Sequence, residues 1–256
     1  MSAARTNAAA EARLNAVIAG AVSVADAPGA DVVVPLVADG GLALAAGIAL
    51  TGKRVVVTLS SASRLVAGLE ALHHAARSGF ACPLVVRVPV GGEAGSHIDV
   101  ATLHLLDGVE VWTGSTVDEL AENLENALRG DRPVVLFEPR AVLHGQAPSS
   151  GDLAPPLSAP DAAVSVIAWG HGVGVAAAAG AGVVAVRRLV PLDPAVGAAV
   201  RRSGRAVIAH NGEAAWAQRA LAVVLADAFE YLESPPVAVS TDVDAIARAV
   251  QASLDF

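Results

Sequence analysis

The sequence predicts an α/β protein made of two doubly wound units. Three observations carry this. Short Val-rich runs such as "DVVVPLV", "RVVVTLS" and "PLVVRVPV" alternate with longer Ala- and Leu-rich runs of helical period, the order of a parallel sheet covered on both faces. Hydrophobic residues make up 54% of the 256 residues and charged residues 16%, which excludes disorder as a description of the whole. A Pro/Ser/Gly-rich stretch at 144–162 lacks apolar periodicity and divides the chain. The expected organisation is a first unit over 1–145, a linker over 146–161 and a second unit over 162–256.

The first unit reads as a helix at about 9–22, the strand "DVVVPLV", a small-residue helix at 40–51 and the strand "RVVVTLS". Next come the helix "SRLVAGLEALHHAARSG", the strand "CPLVVRVPV", a loop through "GGEAGSHID" and the helix "VATLHLL". "VEVWTG", the helix "TVDELAENLENALRG" and the strand "PVVLFEP" complete it. In "STVDEL" a Ser/Thr cap is followed by carboxylates in the first turn, a clean helix start. In the second unit "VSVIAWG", a short helix and "VVAVRRLVPL" precede the helix "DPAVGAAVRRSG", capped by Asp193 with Pro194 in its first turn. "AVIAHN", "EAAWAQRALAVVLADAF", "PPVAVS" and "DVDAIARAVQASL" follow as strand, helix, strand and helix.

Several function classes fall away. Net charge is −8 and no Lys/Arg cluster could track a phosphate backbone, so nucleic acid is not an expected partner. The single cysteine, Cys82, cannot build a disulfide framework and reads as a buried thiol, consistent with a cytoplasmic protein. No secretory leader is read at the N-terminus. Residues 162–186 contain no Asp, Glu, Lys or Arg, long enough for a membrane span, but the run divides into strand, Gly-rich turn with short helix, and strand. A β-α-β unit explains it without a membrane.

Two nucleotide-like motifs are decoys. Gly47, Gly52 and Lys53 match part of a phosphate loop, yet Arg54 stands where a metal-binding hydroxyl belongs, and the helix precedes the strand instead of following it. "GVGVAA" at 172–177, with Arg187 and Arg188 on the next strand, leaves NAD(P) binding open as a minor alternative, although the following helix is barely two turns. No metal site is expected: His73 and His74 are adjacent on a helix and point about 100° apart. His97, His171 and His210 follow strands, where open sheets place their ligands.

The order of segments resembles beta subunits of thiamine-diphosphate-dependent 2-oxo-acid dehydrogenases, within the wider transketolase family. The residues that carry it are "PLVVRVPVGG", "LDGVEVWTGSTVDELAENLENALRGDRPVVLFEPR", "VSVIAWGHGV", "VVAVRRLVPLDPAVGAAVRRSGRAVIAHNGE" and "ADAFEYLESPPVAVS". The resemblance spans about 30–240 and implies a pyrimidine-binding domain followed by a C-terminal domain of transketolase type.

It also implies the chemistry. A family glutamate drives the cofactor's aminopyrimidine to its imino tautomer; here Ala38 falls at that position and Asp39 is next, one methylene shorter. Asp39 is either a shifted tautomer-setting acid or the N-cap of the 40–51 helix. The family's pyrimidine-stacking aromatics are replaced by "SSAS", with Ser60 and Ser63, and a Gln and an Asn by Glu70 and His73. His97 falls where the family has a substrate-side histidine. The Gly-Asp-Gly motif that holds Mg2+ and the diphosphate is absent, which implies an alpha-type partner in an α2β2 heterotetramer and possible contact with an acyl-carrier domain or protein. The expected function is decarboxylation of a 2-oxo acid or cleavage of a ketose, with transfer of the acyl or ketol fragment. A degenerate subunit that only stabilises its partner is the alternative. The Gly/Ala content of the 40–51 helix is assigned to packing, the close approach of another backbone as at a subunit interface.

Overall fold

In the computed structural model the described residues are 2–18, 32–35, 41–91, 108–145, 162–212 and 214–256. The first sheet runs in the order β1-β2-β3-β5-β4-β8, formed by β1 (Val32–Pro35), β2 (Val55–Thr58), β3 (Leu84–Val90), β5 (Val134–Pro139), β4 (Glu110–Thr113) and β8 (Arg188–Val190). All its pairings are parallel except β4 with β8. The second sheet is parallel, ordered β10-β9-β6-β7, from β10 (Val237–Ser240), β9 (Ala206–His210), β6 (Ser165–Ala168) and β7 (Gly182–Ala185). Mixed α/β architecture with wound parallel sheets is therefore observed.

Burial on both faces explains the unbroken apolar strands. In β2, Val55, Val56 and Val57 are all fully buried, Val56 on one face and its neighbours on the other. Helices α2 (Gly41–Ala49) and α3 (Ala62–Arg77) cover one face of the first sheet; α1 (Ser2–Ile18) and α4 (Val117–Arg129) cover the other. The expected cap on α4 is present: Thr116 accepts from the Glu119 N–H at 3.1 Å, while Glu119 accepts from the Ser115 N–H at 2.7 Å. In the second sheet α6 (Gly172–Ala178) and α9 (Val243–Leu254) lie on one face, α7 (Pro194–Ser203) and α8 (Ala214–Ala228) on the other. A four-residue helix, α5 (Arg140–Leu143), follows β5 directly and was not anticipated. Among the described residues no helix is long and apolar enough to cross a membrane.

One expectation is corrected. "VVAVRRLVPL" is not a single strand: 182–185 pair with β6 in the second sheet, whereas 188–190 pair antiparallel with β4 in the first. Arg187, at the crossing, donates to Glu122 at 2.8 Å and Asn123 at 3.0 Å, both on α4. An apolar run satisfies either sheet equally well, so its composition does not reveal where it changes partner. The core that joins the sheets is continuous, with Trp169 packed between Phe137 and Trp216 at ring separations of 6.4 and 6.3 Å.

Candidate functional site at the carboxyl ends of the strands

Parallel sheets expose their strand ends, and loops leaving in opposite directions open a crevice there. In the second sheet the crevice lies between β6 and β9, because α6 and α8 cover opposite faces. His171 follows β6 and His210 ends β9. Burial lowers both histidines below their ordinary range, and His210 Nδ1 is buried with no partner among the described residues. The ends of β3 and β5 close over this crevice: Gly91, Pro139, His171, Asn211 and Thr241 line a cavity of about 20 Å3, room for about one water.

The decoy at 172–177 is closed by the same packing. A Cβ on Gly172 would meet Thr241 at 3.3 Å, so the missing side chain admits Thr241 rather than a pyrophosphate. Helix α6 has seven residues, Arg187 is held by α4, and Arg188 lies over Trp112 with Cζ 5.2 Å from the ring centre. The geometry gives no support to NAD(P). At the phosphate-loop decoy, α2 precedes and β2 follows Lys53, the inverted order expected.

Of the residues singled out from the sequence, Ala38, Asp39 and His97 lie outside the described residues. Ser60 is exposed just beyond β2, and Ser61 and Ser63 share a hydrogen bond of 2.8 Å at the start of α3. Glu70 and His73 lie further along α3, about 10 and about 15 Å from Ser63 along the axis at roughly 1.5 Å per residue. Glu70 points to solvent beside His74, 3.6 Å away, while His73 is half-buried, its Nε2 buried and without a partner among the described residues. The structure therefore places the two serines at one strand end and does not bring Glu70 to them. As a donor set the hydroxyls suit the polar edge of a heterocycle. They offer no ring to stack on it, and no group of three or more His, Cys, Asp or Glu residues suited to a metal occurs among the described residues.

Three charged residues near the strand ends were not singled out. Arg87 on β3 is buried and donates to Glu138 on β5 at 2.6 and 3.2 Å, and to Glu11 on α1 at 3.3 Å. Burial works against the Arg87 charge, but the two carboxylates outweigh it and raise its pKa; burial holds the Glu138 carboxyl above the ordinary range while Arg87 pulls the other way. Arg140, immediately after β5, is half-buried, its Nε buried without a hydrogen-bond partner among the described residues. The signal for the pair was present: Arg87 and Glu138, of opposite sign, are the charged residues inside two otherwise apolar strands.

Residues 35–146 match the transketolase pyrimidine-binding domain. In fold, the chain is similar to a split gene transketolase solved as an inactive beta4 tetramer, with a TM-score of 0.65 at 17% identity, over 86% of this chain and 82% of that one. Among curated proteins none matches by sequence. Residues 35–146 thus match the transketolase pyrimidine-binding domain, and the chain shares its fold with that split gene transketolase.

Proposed function

We propose that this chain is the beta-type subunit of a two-component thiamine-diphosphate enzyme that acts on a 2-oxo acid or a ketose. The pyrimidine-binding domain at 35–146 is the observation that carries this reading. When bound, the cofactor would supply a nucleophilic carbon that stabilises the acyl or ketol fragment. Asp39 would set the pyrimidine tautomer, Ser60 and Ser63 would meet the polar edge of the ring, and His97 would exchange a proton or hydrogen bond with substrate. Arg140, whose Nε has no partner among the described residues, would meet a substrate carboxylate or phosphate. Mg2+ and the diphosphate would be held mainly by an alpha-type partner, and the fragment would pass to a carrier.

A partner surface is available on α2 and α3. Leu44 is 61% and Val66 55% exposed, and a Cβ on Gly47 would touch nothing within 4 Å. An apolar face with open glycine backbone is what a covering subunit would bury. That the similar split transketolase is inactive as a beta4 tetramer agrees with activity that needs a second kind of chain.

The test is calorimetric titration of thiamine diphosphate with Mg2+ into the chain co-purified with its alpha-type partner. Saturable binding that weakens when Asp39 becomes Asn supports a working acid. Binding untouched by Asp39→Asn makes Asp39 a helix cap. No binding favours the second reading, a stabilising subunit, for which the aromatic-free segment at Ser60–Ser63 is the specific observation.

A further inference from the structure

The second sheet ends at β10, whose outer edge pairs with no strand among the described residues. The strand itself, "VAVS", contains none of the charges, prolines or bulges that usually blunt a free edge. Beside it, α9 and β10 enclose a mostly apolar groove of about 530 Å3, lined by Val237, Val239, Ala245, Ala249, Ala252 and Phe256. Val237 and Phe256, both lining it, are exposed. Residues 245, 249 and 252 form one stripe of α9, with Phe256 just past its end, beside the place where a neighbouring strand would lie.

The same patch carries both signs of charge without using them. Arg248 lines the groove, and its side chain makes no hydrogen bond or ion pair among the described residues. Asp244 stands four residues earlier on the same helix, exposed, and the two do not pair. A surface that holds a free cation beside a free anion is complementary to itself, the condition for a twofold interface. An acidic peptide would meet Arg248 but would be repelled by Asp244.

We propose that β10 and α9 form a docking surface for a second copy of this chain, joining two four-stranded sheets edge to edge. A twofold axis through Val239, normal to the sheet, pairs Val239 with itself and Ala238 with Ser240 of the other copy. The side chains on the α9 face of one strand then meet those on the α9 face of the other. At roughly 3.3 Å per strand residue and 1.5 Å per helix residue, the level of Val239 corresponds to about Ala245–Ile246 on α9. The paired helices run antiparallel, so Arg248 of each copy faces the Asp242–Asp244 turn of the other. This surface lies away from the pyrimidine-binding domain, and the proposal does not depend on cofactor binding.

Charge reversal in the full chain tests it, with sedimentation equilibrium over a concentration series as the readout. Arg248→Asp sets like charges across the axis, as does Asp244→Arg. Each should weaken self-association roughly tenfold. An equimolar mixture of the two variants should recover it as a heterodimer, since both cross-axis contacts again join opposite signs. A misfolded variant would not be rescued by mixing. A wild-type chain that stays monomeric, a dimer that neither variant weakens, or a mixture no tighter than its components would each overturn the proposal.

Discussion

Glu138 is where one side chain has the largest consequence. Arg87 is fully enclosed and its guanidinium stays charged, so Glu138 supplies both the compensating charge and two of its hydrogen bonds. Truncation by Glu138→Ala leaves a buried cation whose remaining counter-charge among the described residues is the partly exposed Glu11, with Asn15 and Thr58 as neutral acceptors. The expected loss is about 3–5 kcal/mol in chemical denaturation, against little change for Glu70→Ala, whose partner His74 is in solvent. Cys82 shows the opposite behaviour. Burial pushes its thiol up to about 11, which removes the thiolate and with it the reactivity. The sequence had read this cysteine as a buried thiol for the same reason, its place at the start of an apolar strand.

Among the elements, the contact of α2 with α3 separates the roles of two glycines. The small residues of α2 are assigned to close approach of another backbone, as at a subunit interface, and among the described residues a Cβ on Gly47 would meet nothing within 4 Å. The close approach occurs at Gly68 on α3, where a Cβ would come within 2.8 Å of the Leu42 Cβ. Gly68→Ala must push the two helices apart, at an expected cost of about 1–3 kcal/mol measured by urea denaturation. Gly47→Ala should be neutral or slightly stabilising in the isolated chain, because it only raises helix propensity. The sequence identified α2 as a helix of small residues. It could not say which glycine faces a neighbour, since that depends on the rotation of two helices about their axes.

At the scale of the whole molecule, the sheets meet at a seam that holds His171 and His210 at lowered pKa. The sign of the linkage follows from that direction. Below the ordinary histidine value near pH 6.5 the unfolded chain binds protons that the folded chain refuses, so stability rises with pH across this window. Thermal unfolding should therefore shift to lower temperature as pH falls through that value. The decline should stop below the folded pKa values. His171→Gln should flatten the profile; an unchanged slope in that variant would mean that His171 does not report the seam.

The legible part of this protein was local. Runs of Val bounded by turn residues, the Thr116–Glu119 capping pattern and the Asp193-Pro194 start each found its element, because each is decided by neighbours within a few positions. The succession of those elements also sufficed for the family resemblance, which the domain at 35–146 and the fold similarity support. Pairing was not legible in the same way. That 188–190 leave the second sheet for the first, that Arg87 finds Glu138 across 51 positions, and that Trp169 bridges Phe137 and Trp216 are all non-local facts. What the sequence alone determined is the succession of most strands and helices, and a composition without a basic cluster or a disulfide framework. What only the tertiary structure decided is which strands become neighbours, which charges are buried together and which edge is left open. Those outcomes depend on where distant segments meet, and hydrophobic pattern constrains burial without naming the partner.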